Sequence, residues 1–116
     1  VVDAVLTGAD RIASNGDTAN KIGTFSLALA ARHADVPFIV VAPESTVDMA
    51  TPSGDNIEIE YRDGQEVVSI RGTKIAPKNT EAINPAFDLT PAGLITAIVT
   101  DKRVVRLDQG ESLSSD

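Results

Sequence analysis

The sequence predicts a single α/β domain, and three observations support that class. Two apolar runs rich in β-branched residues, 1–6 and 38–42, flank a helix-forming stretch over residues 18–33. Continuous runs of this kind are typical of parallel strands buried on both faces. A strand, a helix and a second strand in this order form a βαβ unit with a right-handed crossover. The length of 116 residues is that of one domain.

The composition narrows the classes of function. Hydrophobic residues make up 42% of the chain but aromatic residues only 3%, so the core must be aliphatic. The net charge of −7 argues against nucleic acid and anionic membranes as partners. The chain has no cysteine, which excludes thiol chemistry within these residues and fits a cytoplasmic protein. No apolar run approaches the roughly 20 residues of a membrane helix.

The first element is a strand over residues 1–6, followed by a polar loop over 8–17 with a helical turn at 11–13. The helix over 18–33 is apolar on most of its circumference, so we expect other elements to cover it on more than one side. Asp17 or Thr18 is a suitable N-cap for this helix.

The second half of the chain is less regular. Thr90 and Pro91 form a good N-cap and first-turn pair, which predicts a helix over residues 91–100 with its aliphatic side chains facing inward. The weaker patterns predict an irregular segment over 43–56, a half-exposed strand over 57–60 and a short helix over 63–70. A loop follows over 71–82, then a closing strand over 104–107 and a mobile tail over 109–116. The domain therefore spans 1–108, followed by the tail.

The predicted loop and helix start carry the candidate chemistry. At helical spacing, Asp17, Asn20, Lys21 and Thr24 fall within an arc of roughly 100° at the predicted N-terminus, where free N–H groups and the helix dipole favour an anion. This pattern predicts a small phosphate or polyol site with Asp10 nearby as acid or base. The alternative is a solvated helix start with an ordinary cap.

Two carboxylates leave alternatives open. If Asp10 is held partly away from water, it can serve as a general acid. If it pairs with Arg11 or Lys21 instead, it stays ionised and organises the loop. Asp88 either reaches back to hold the first loop or belongs to the local turn before Thr90. The chain has neither a GxGxxG nor a GxxxxGK[ST] motif, and it has no His pair or carboxylate cluster, so we expect no cofactor and no metal.

Two stretches resemble a known family. Residues 8–24, GADRIASNGDTANKIGT, and residues 84–95, NPAFDLTPAGLI, are similar to the signature segments of the methylthioribose-1-phosphate isomerases. That family is related to ribose-1,5-bisphosphate isomerase and to the regulatory subunits of eukaryotic initiation factor 2B. The resemblance implies a Rossmann-like three-layer domain with a mostly parallel sheet. It also implies conversion of 5-methylthioribose 1-phosphate to 5-methylthioribulose 1-phosphate in methionine salvage, without a cofactor.

The resemblance also assigns roles to residues. It implies that Asp10 is catalytic and that Asn20 and Lys21 bind the sugar phosphate. Supporting roles fall on residues around them, namely Arg11, Gly23, Thr24 and Asp88. The family's catalytic Cys lies in a segment upstream of the Asp loop, together with an N-terminal domain, and neither is present here. The chain also begins inside a strand, so we expect a piece of a longer enzyme that is inactive alone and belongs to a homodimer.

Three alternatives remain at this stage. One is a ribose-1,5-bisphosphate isomerase and another is a non-catalytic regulatory subunit like those of initiation factor 2B. The segment ADRI, residues 9–12, resembles the methylthioribose-phosphate enzymes, whereas the regulatory subunits depart from it. The third alternative is an unrelated nucleotide binder, which the missing GxGxxG motif disfavours.

Overall fold

The computed structural model describes residues 2–58, 69–70, 73–74 and 85–114. Within these residues the chain forms one α-helix, α1 (Thr24–His33), and strands β1 to β10, which are Val5–Thr7, Arg11–Ala13, Thr18–Lys21, Phe38–Val41, Val47–Asp48, Ser69–Ile70, Thr73–Lys74, Phe87–Thr90, Ala97–Val99 and Val104–Val105.

The first sheet forms the centre of the molecule, with strand order β1-β4-β9-β10. The pairs β1–β4 and β4–β9 are parallel, and β10 closes the sheet antiparallel to β9. One face of this sheet supplies the aliphatic core, where Phe38, Val40, Ile98 and Val105 are buried against Ala28 and Ala31 of α1. The predicted parallel arrangement of the first strand and the strand at 38–42 is confirmed.

A second sheet has the order β5-β2-β3-β8, and its strands β2 and β3 lie in the connection between β1 and α1. Strands β2 and β3 form an antiparallel hairpin, β8 adds antiparallel to β3, and β5 adds parallel to β2. A separate antiparallel pair joins β6 to β7. The fold is therefore mixed α/β, and the expected mostly parallel arrangement describes the first sheet only.

The helix expected over 18–33 is wrong in its first third. Residues Thr18–Lys21 form β3, and α1 begins only at Thr24. Gly23 separates the two elements with φ 107°, a left-handed conformation that favours glycine. The hydrogen bonds of β3 to β2 and β8 outweigh the helix propensity of its alanine and lysine.

The helix expected over 91–100 is also wrong. After Pro91 the chain makes only a short 3-10 helix, Ala92–Leu94, and residues Ala97–Val99 form β9. The β-branched residues of this segment pair better with β4 in the centre of the sheet than they propagate a helix. The expected inward direction is nonetheless right for Ile95 and Ile98, which are buried.

Several shorter predictions need correction. Residues 11–13 form β2 rather than a helical turn, and residues 57–58 do not belong to a strand. Residues 69–70 and 73–74 form strands, where a helix end and a loop were expected. The irregular excursion at 43–56 holds two 3-10 helices and β5. The remaining parts of the predictions for 57–60, 63–70 and 71–82 lie outside the described residues.

Leu113 anchors the C-terminal segment, for which a mobile tail was expected over 109–116. Leu113 is only 3% exposed and belongs to the main core. Arg103 holds the segment in place, because its Nη1 donates to the Leu113 carbonyl at 2.7 Å while its Nη2 lies 2.8 Å from Glu44 Oε2. The Arg103 side chain is the first cause of the lowered pKa of Glu44, and the Thr100 hydroxyl adds a further hydrogen bond.

Helix α1 packs through small residues. Thr24, Ala28 and Ala31 are buried, whereas the larger Phe25 and Leu27 are partly exposed. Within the described residues, therefore, only one side of the helix is covered, and the expectation of cover on several sides is not met by this chain. No helix among these residues is both long and apolar enough to cross a membrane.

Candidate functional site

An open cleft of about 390 Å³ lies against the second sheet. Its lining comes from four separate parts of the chain, namely Asp10, Arg11, Ala19, Ile57, Glu58 and Phe87. Charged groups occupy one part of the lining and apolar groups the other. This combination suits a ligand that carries both polar and apolar substituents.

Asp10 stands between β1 and β2, where the chain leaves the first sheet and enters the second. Its backbone N–H donates to the carbonyl of Ala19 at 2.8 Å, which fixes the main chain at this point. Its side chain is exposed to the cleft, so the partly dry environment considered from the sequence is not present in these residues.

Arg11 lines the cleft beside Asp10 and forms a loose ion pair on the far side of β2. Its Nη1 lies 3.9 Å from Oδ2 of Asp48, and both side chains are substantially exposed. The pKa of Asp48 is lowered chiefly by the hydrogen bond from the Thr51 hydroxyl, then by that from the Ala50 N–H, with a smaller contribution from Arg11. Arg11 is therefore a minor partner of this carboxylate.

Strand alternation separates Asn20 from Lys21. Ala19 lines the cleft, and Lys21 follows two residues later opposite the cleft residue Phe87, so Lys21 lies on the cleft face of β3. Asn20 lies on the other face, where its Nδ2 donates to the Thr24 hydroxyl at 3.1 Å. The four-residue helical arc predicted from spacing is therefore wrong, since its members lie on a turn, a strand and a helix.

The N-terminus of α1 is capped by a carboxylate from a neighbouring strand. Asp88 of β8 accepts hydrogen bonds from the N–H groups of Gly23, at 2.8 Å, and Phe25, at 3.2 Å. In register, Asp88 is the partner of Asn20. Asp88 thus reaches back along the chain, as the first of its two expected roles requires, but it holds the junction of β3 and α1 rather than the loop over residues 8–17. A negative group already occupies the place where an anion was expected.

Asp17 does not cap the helix but joins three segments. Its Oδ1 accepts from the N–H of Ala92 at 2.8 Å, and its Oδ2 accepts from the N–H of Gly54 at 2.9 Å and from Asn15 Nδ2 at 3.0 Å. Burial by itself raises the pKa of Asp17, but these hydrogen bonds outweigh it and hold the pKa below the usual range. Gly54 begins the short helix that leads to Ile57 and Glu58, so Asp17 supports one wall of the cleft.

Four cleft residues did not stand out in the sequence: Ala19, Ile57, Glu58 and Phe87. The only local signal was the apolar–polar alternation that starts at Ile57, which placed one side chain inward and the next outward. Among residues 2–58 and 85–114, no group of three His, Cys, Asp or Glu side chains is placed to hold a metal ion.

The fold and the sequence together define the family. The model of the initiation factor 2 subunit family matches residues 1–106, and the chain belongs to that family. Methylthioribose-1-phosphate isomerase of Alcanivorax borkumensis is 54% identical over 114 residues, which are 98% of this chain and 33% of the relative.

Solved structures agree with this placement. The 5-methylthioribose 1-phosphate isomerase from Pyrococcus horikoshii OT3 is 51% identical, with a TM-score of 0.84 over 90% of this chain and 29% of that chain. The translation initiation factor eIF-2B subunit delta from A. fulgidus is 39% identical, with a TM-score of 0.82 over 90% of this chain and 30% of that chain. The chain thus spans about a third of the length of its curated relatives, in their C-terminal part.

Proposed function

We propose that these residues supply the acid/base half of an aldose–ketose isomerase site. The substrate is 5-methylthioribose 1-phosphate, converted to 5-methylthioribulose 1-phosphate in the cytoplasmic salvage of methionine. The observation that carries the proposal is the Asp10 carboxylate in an open cleft, beside Arg11 and on the sheet face that bears Lys21. The 54% identity with the Alcanivorax borkumensis isomerase supports the choice of substrate.

The proposed chemistry requires proton transfer at a fixed point. The anomeric oxygen of this substrate carries phosphate, so the ring opens only if the bond between C1 and the ring oxygen breaks and the ring oxygen gains a proton. The hydrogen on C2 then moves to the electron-deficient C1 with its electron pair, as a hydride, and the C2 hydroxyl loses its proton to become the ketone. Asp10 is placed to give the first proton and to take back the last, so that the carboxyl group is regenerated.

The neighbouring residues have separate parts in this proposal. Lys21 binds the phosphate or a hydroxyl from the cleft face of β3, and Arg11 stands beside the acid. Asn20, which the resemblance also assigns to substrate binding, donates its amide nitrogen to Thr24 and so ties the end of β3 to the start of α1; it is available to a substrate that approaches this end of the strand. Gly23 and Asp88 complete that junction. The apolar side of the cleft suits the methylthio group, because sulfur packs well against apolar and aromatic surfaces.

The resemblance also implies a catalytic Cys as the partner of Asp10, and the chain has no cysteine. We therefore expect the 116 residues to be inactive alone and active once joined to a domain that supplies the thiol. A chimera tests this, in which these residues replace the matching third of the Alcanivorax borkumensis relative. Its conversion of methylthioribose 1-phosphate is measured directly, and the isolated chain is assayed in parallel.

In the active chimera, Asp10→Asn should lower kcat by about 10²–10⁴-fold, the usual effect of removing a placed acid or base. Asp55→Asn is the control, because Asp55 is exposed and lies outside the cleft lining. Activity of the Asp10→Asn chimera within tenfold of the unmodified chimera would show that Asp10 is not the acid.

We further propose that the fold is completed to a Rossmann-like, three-layer domain within a homodimer. The face of the first sheet opposite the core is aliphatic, and its Leu6 and Val104 are 64% and 58% exposed. Parallel sheets are normally covered on both faces. The exposed Phe25 and Leu27 of α1 supply a second apolar surface. A further domain on the sheet and a second subunit on the helix would bury both.

One alternative function has an observation in its favour, which is the 39% identity with the eIF-2B subunit delta of A. fulgidus. A regulatory subunit would keep the fold without turnover, so an inactive but folded chimera supports it. Turnover of ribose 1,5-bisphosphate by the chimera would instead indicate a ribose-1,5-bisphosphate isomerase. A nucleotide titration tests the alternative that the chain is an unrelated nucleotide-binding domain.

A further inference from the structure

We propose that Arg11 is a phosphate ligand and that it forms, with Lys21, a two-cation clamp for the phosphate of the substrate. The inference rests on the proposed function and adds to it a phosphate-binding residue, Arg11, and the position of the phosphate. It puts the phosphate on the cleft face of the second sheet, away from the start of α1.

The pairing of β2 with β3 brings the two cations together. Arg11 is the direct partner of Ala19, and Lys21 lies two residues beyond Ala19 on the same face. Diagonal neighbours of this kind have their Cα atoms about 7–8 Å apart, a separation that two long side chains easily bridge. Ala19, whose side chain is small, stands between them in the strand and forms part of the cleft lining.

The N-terminus of α1 cannot compete for the phosphate. The Asp88 carboxylate already accepts the N–H groups of Gly23 and Phe25 that an anion would use. A phosphate brought to the same place would meet a negative charge. The clamp on the opposite face of β3 has no such obstacle from Asp88, because Asp88 pairs with Asn20 on the helix side.

The present partner of Arg11 holds it weakly. The distance to Asp48 is 3.9 Å, whereas Arg103 lies 2.8 Å from Glu44 and donates from two of its nitrogens. Exposed pairs of the first kind contribute little to stability. Asp48 also accepts from Thr51, so it stays satisfied when Arg11 moves away. The planar guanidinium then gains a bidentate contact with phosphate, for which its geometry is better suited than that of an ammonium group.

The order of the residues also orients the substrate. Asp10 precedes Arg11 and lines the same cleft, so a phosphate held by Arg11 and Lys21 leaves the sugar on the side of the Asp10 carboxyl group. The phosphate therefore lies towards Arg11 and Lys21, and the sugar carbons lie towards Asp10. In this orientation the carbon that bears the phosphate stands between the clamp and the acid, as the isomerisation requires.

Binding of inorganic phosphate and of ribose 1-phosphate to the 116-residue chain tests the clamp, with ribose as the uncharged comparison. Arg11→Gln should weaken both phosphate ligands by about tenfold or more, since it removes a charged hydrogen-bonding partner. Arg11→Lys should weaken them less, because the charge stays and the bidentate fork is lost. Circular dichroism checks that each variant is folded.

Arg106→Gln is a closely matched control. Arg106 lies 3.7 Å from Asp108, and their side chains are 54% and 38% exposed. Arg11 lies 3.9 Å from Asp48, and those side chains are 53% and 39% exposed. It lies outside the lining of the cleft, so phosphate binding should change less than twofold. Equal affinities for the Arg11→Gln and unmodified chains, or equal losses in the Arg11 and Arg106 variants, would overturn the proposal.

The chimera separates this proposal from the isomerase assignment. If turnover depends on Asp10 while phosphate affinity is independent of Arg11, the clamp is wrong and the isomerase stands. If phosphate affinity depends on Arg11 while the Asp10→Asn chimera keeps its activity, the clamp stands and the acid/base assignment is wrong. Within an active chimera, the clamp predicts that Arg11→Gln raises KM by more than it lowers kcat.

Discussion

Replacing Asp17 with alanine should destabilise the chain more than any exposed carboxylate replacement. The change removes hydrogen bonds from the N–H groups of Gly54 and Ala92 and from the side chain of Asn15. Gly54 is buried and Ala92 is half-buried, so at least one of these N–H groups loses its partner without ready access to water. The three segments joined by Asp17 would then be free to separate.

The magnitude follows from the individual contacts. A hydrogen bond to a charged group contributes about 1.5–3 kcal/mol, and an unsatisfied buried donor costs about 1–3 kcal/mol. Contacts to one carboxylate are not additive, so about 3 kcal/mol is expected for Asp17→Ala. In a domain of 116 residues, where 1 kcal/mol shifts Tm by about 4 °C, that loss lowers Tm by about 12 °C.

The assay is thermal and urea unfolding of the chain, with Asp55→Ala as the control. Asp55 is exposed in the short helix that Asp17 holds, so its loss should cost at most about 0.5 kcal/mol. A loss below about 1 kcal/mol for Asp17→Ala would refute the reasoning that this carboxylate joins three segments.

Acid pH gives a second test of the same contacts. The folded-state pKa of Asp17 is lowered by its hydrogen bonds, so its contribution to stability is complete above the ordinary aspartate value of about 3.9. The contribution decreases as the pH falls through the lower folded-state value. The difference in free energy of unfolding between the natural chain and Asp17→Asn should therefore be constant at neutral pH and shrink below about pH 4. A difference that is the same at pH 3 and pH 7 would contradict this.

Two further variants test the packing around the site. Gly16→Ala should lower the free energy of unfolding by about 2 kcal/mol or more in urea, because φ is +97° and the new Cβ would lie 3.1 Å from Leu107 Cδ1. Gly110→Ala is the control: its φ is +81° but the Cβ would enter open space, so the loss should be only about 1 kcal/mol. Equal losses would show that the contact with Leu107 adds nothing to the backbone strain. Arg103→Ala should lower the free energy of unfolding by about 2 kcal/mol and make the C-terminal segment accessible to proteases. Arg106→Ala, the control, should change neither the free energy of unfolding nor the rate of proteolysis. If the segment of the Arg103 variant resists proteolysis as the natural chain does, Arg103 does not anchor it.

Local sequence predicted the central strands well and two helices badly. The run at 38–42 is continuously apolar, so pairing and burial favour the same structure. At Thr18–Lys21 the residues form helices readily on their own, and only the pairing with β8, nearly seventy residues further on, makes them a strand. The Asn15–Gly16 pair was the available signal, because Asn-Gly is typical of hairpin turns.

The residues of the candidate site could be predicted from the sequence only where they are neighbours along the chain. Asp10 and Arg11 are adjacent in sequence and follow a strand, so their place at one end of the cleft could be inferred from local pattern. The face on which Lys21 lies depends on whether it belongs to a helix or a strand, and that choice was wrong. Ile57, Glu58 and Phe87 reach the cleft through long-range folding, and the alternation that starts at Ile57 says which side chains point inward but not which cleft they line.

The turn at residues 14–17 determines more than the direction of the chain. Because successive side chains of β3 point to opposite faces, a deletion of one residue in this turn would shift its register against β2. Such a slip would bury the charge of Lys21 towards the core and present Thr18 and Asn20 to the cleft. The length of one four-residue turn thus decides which chemistry the strand displays, and insertions or deletions there should be far less tolerated than substitutions.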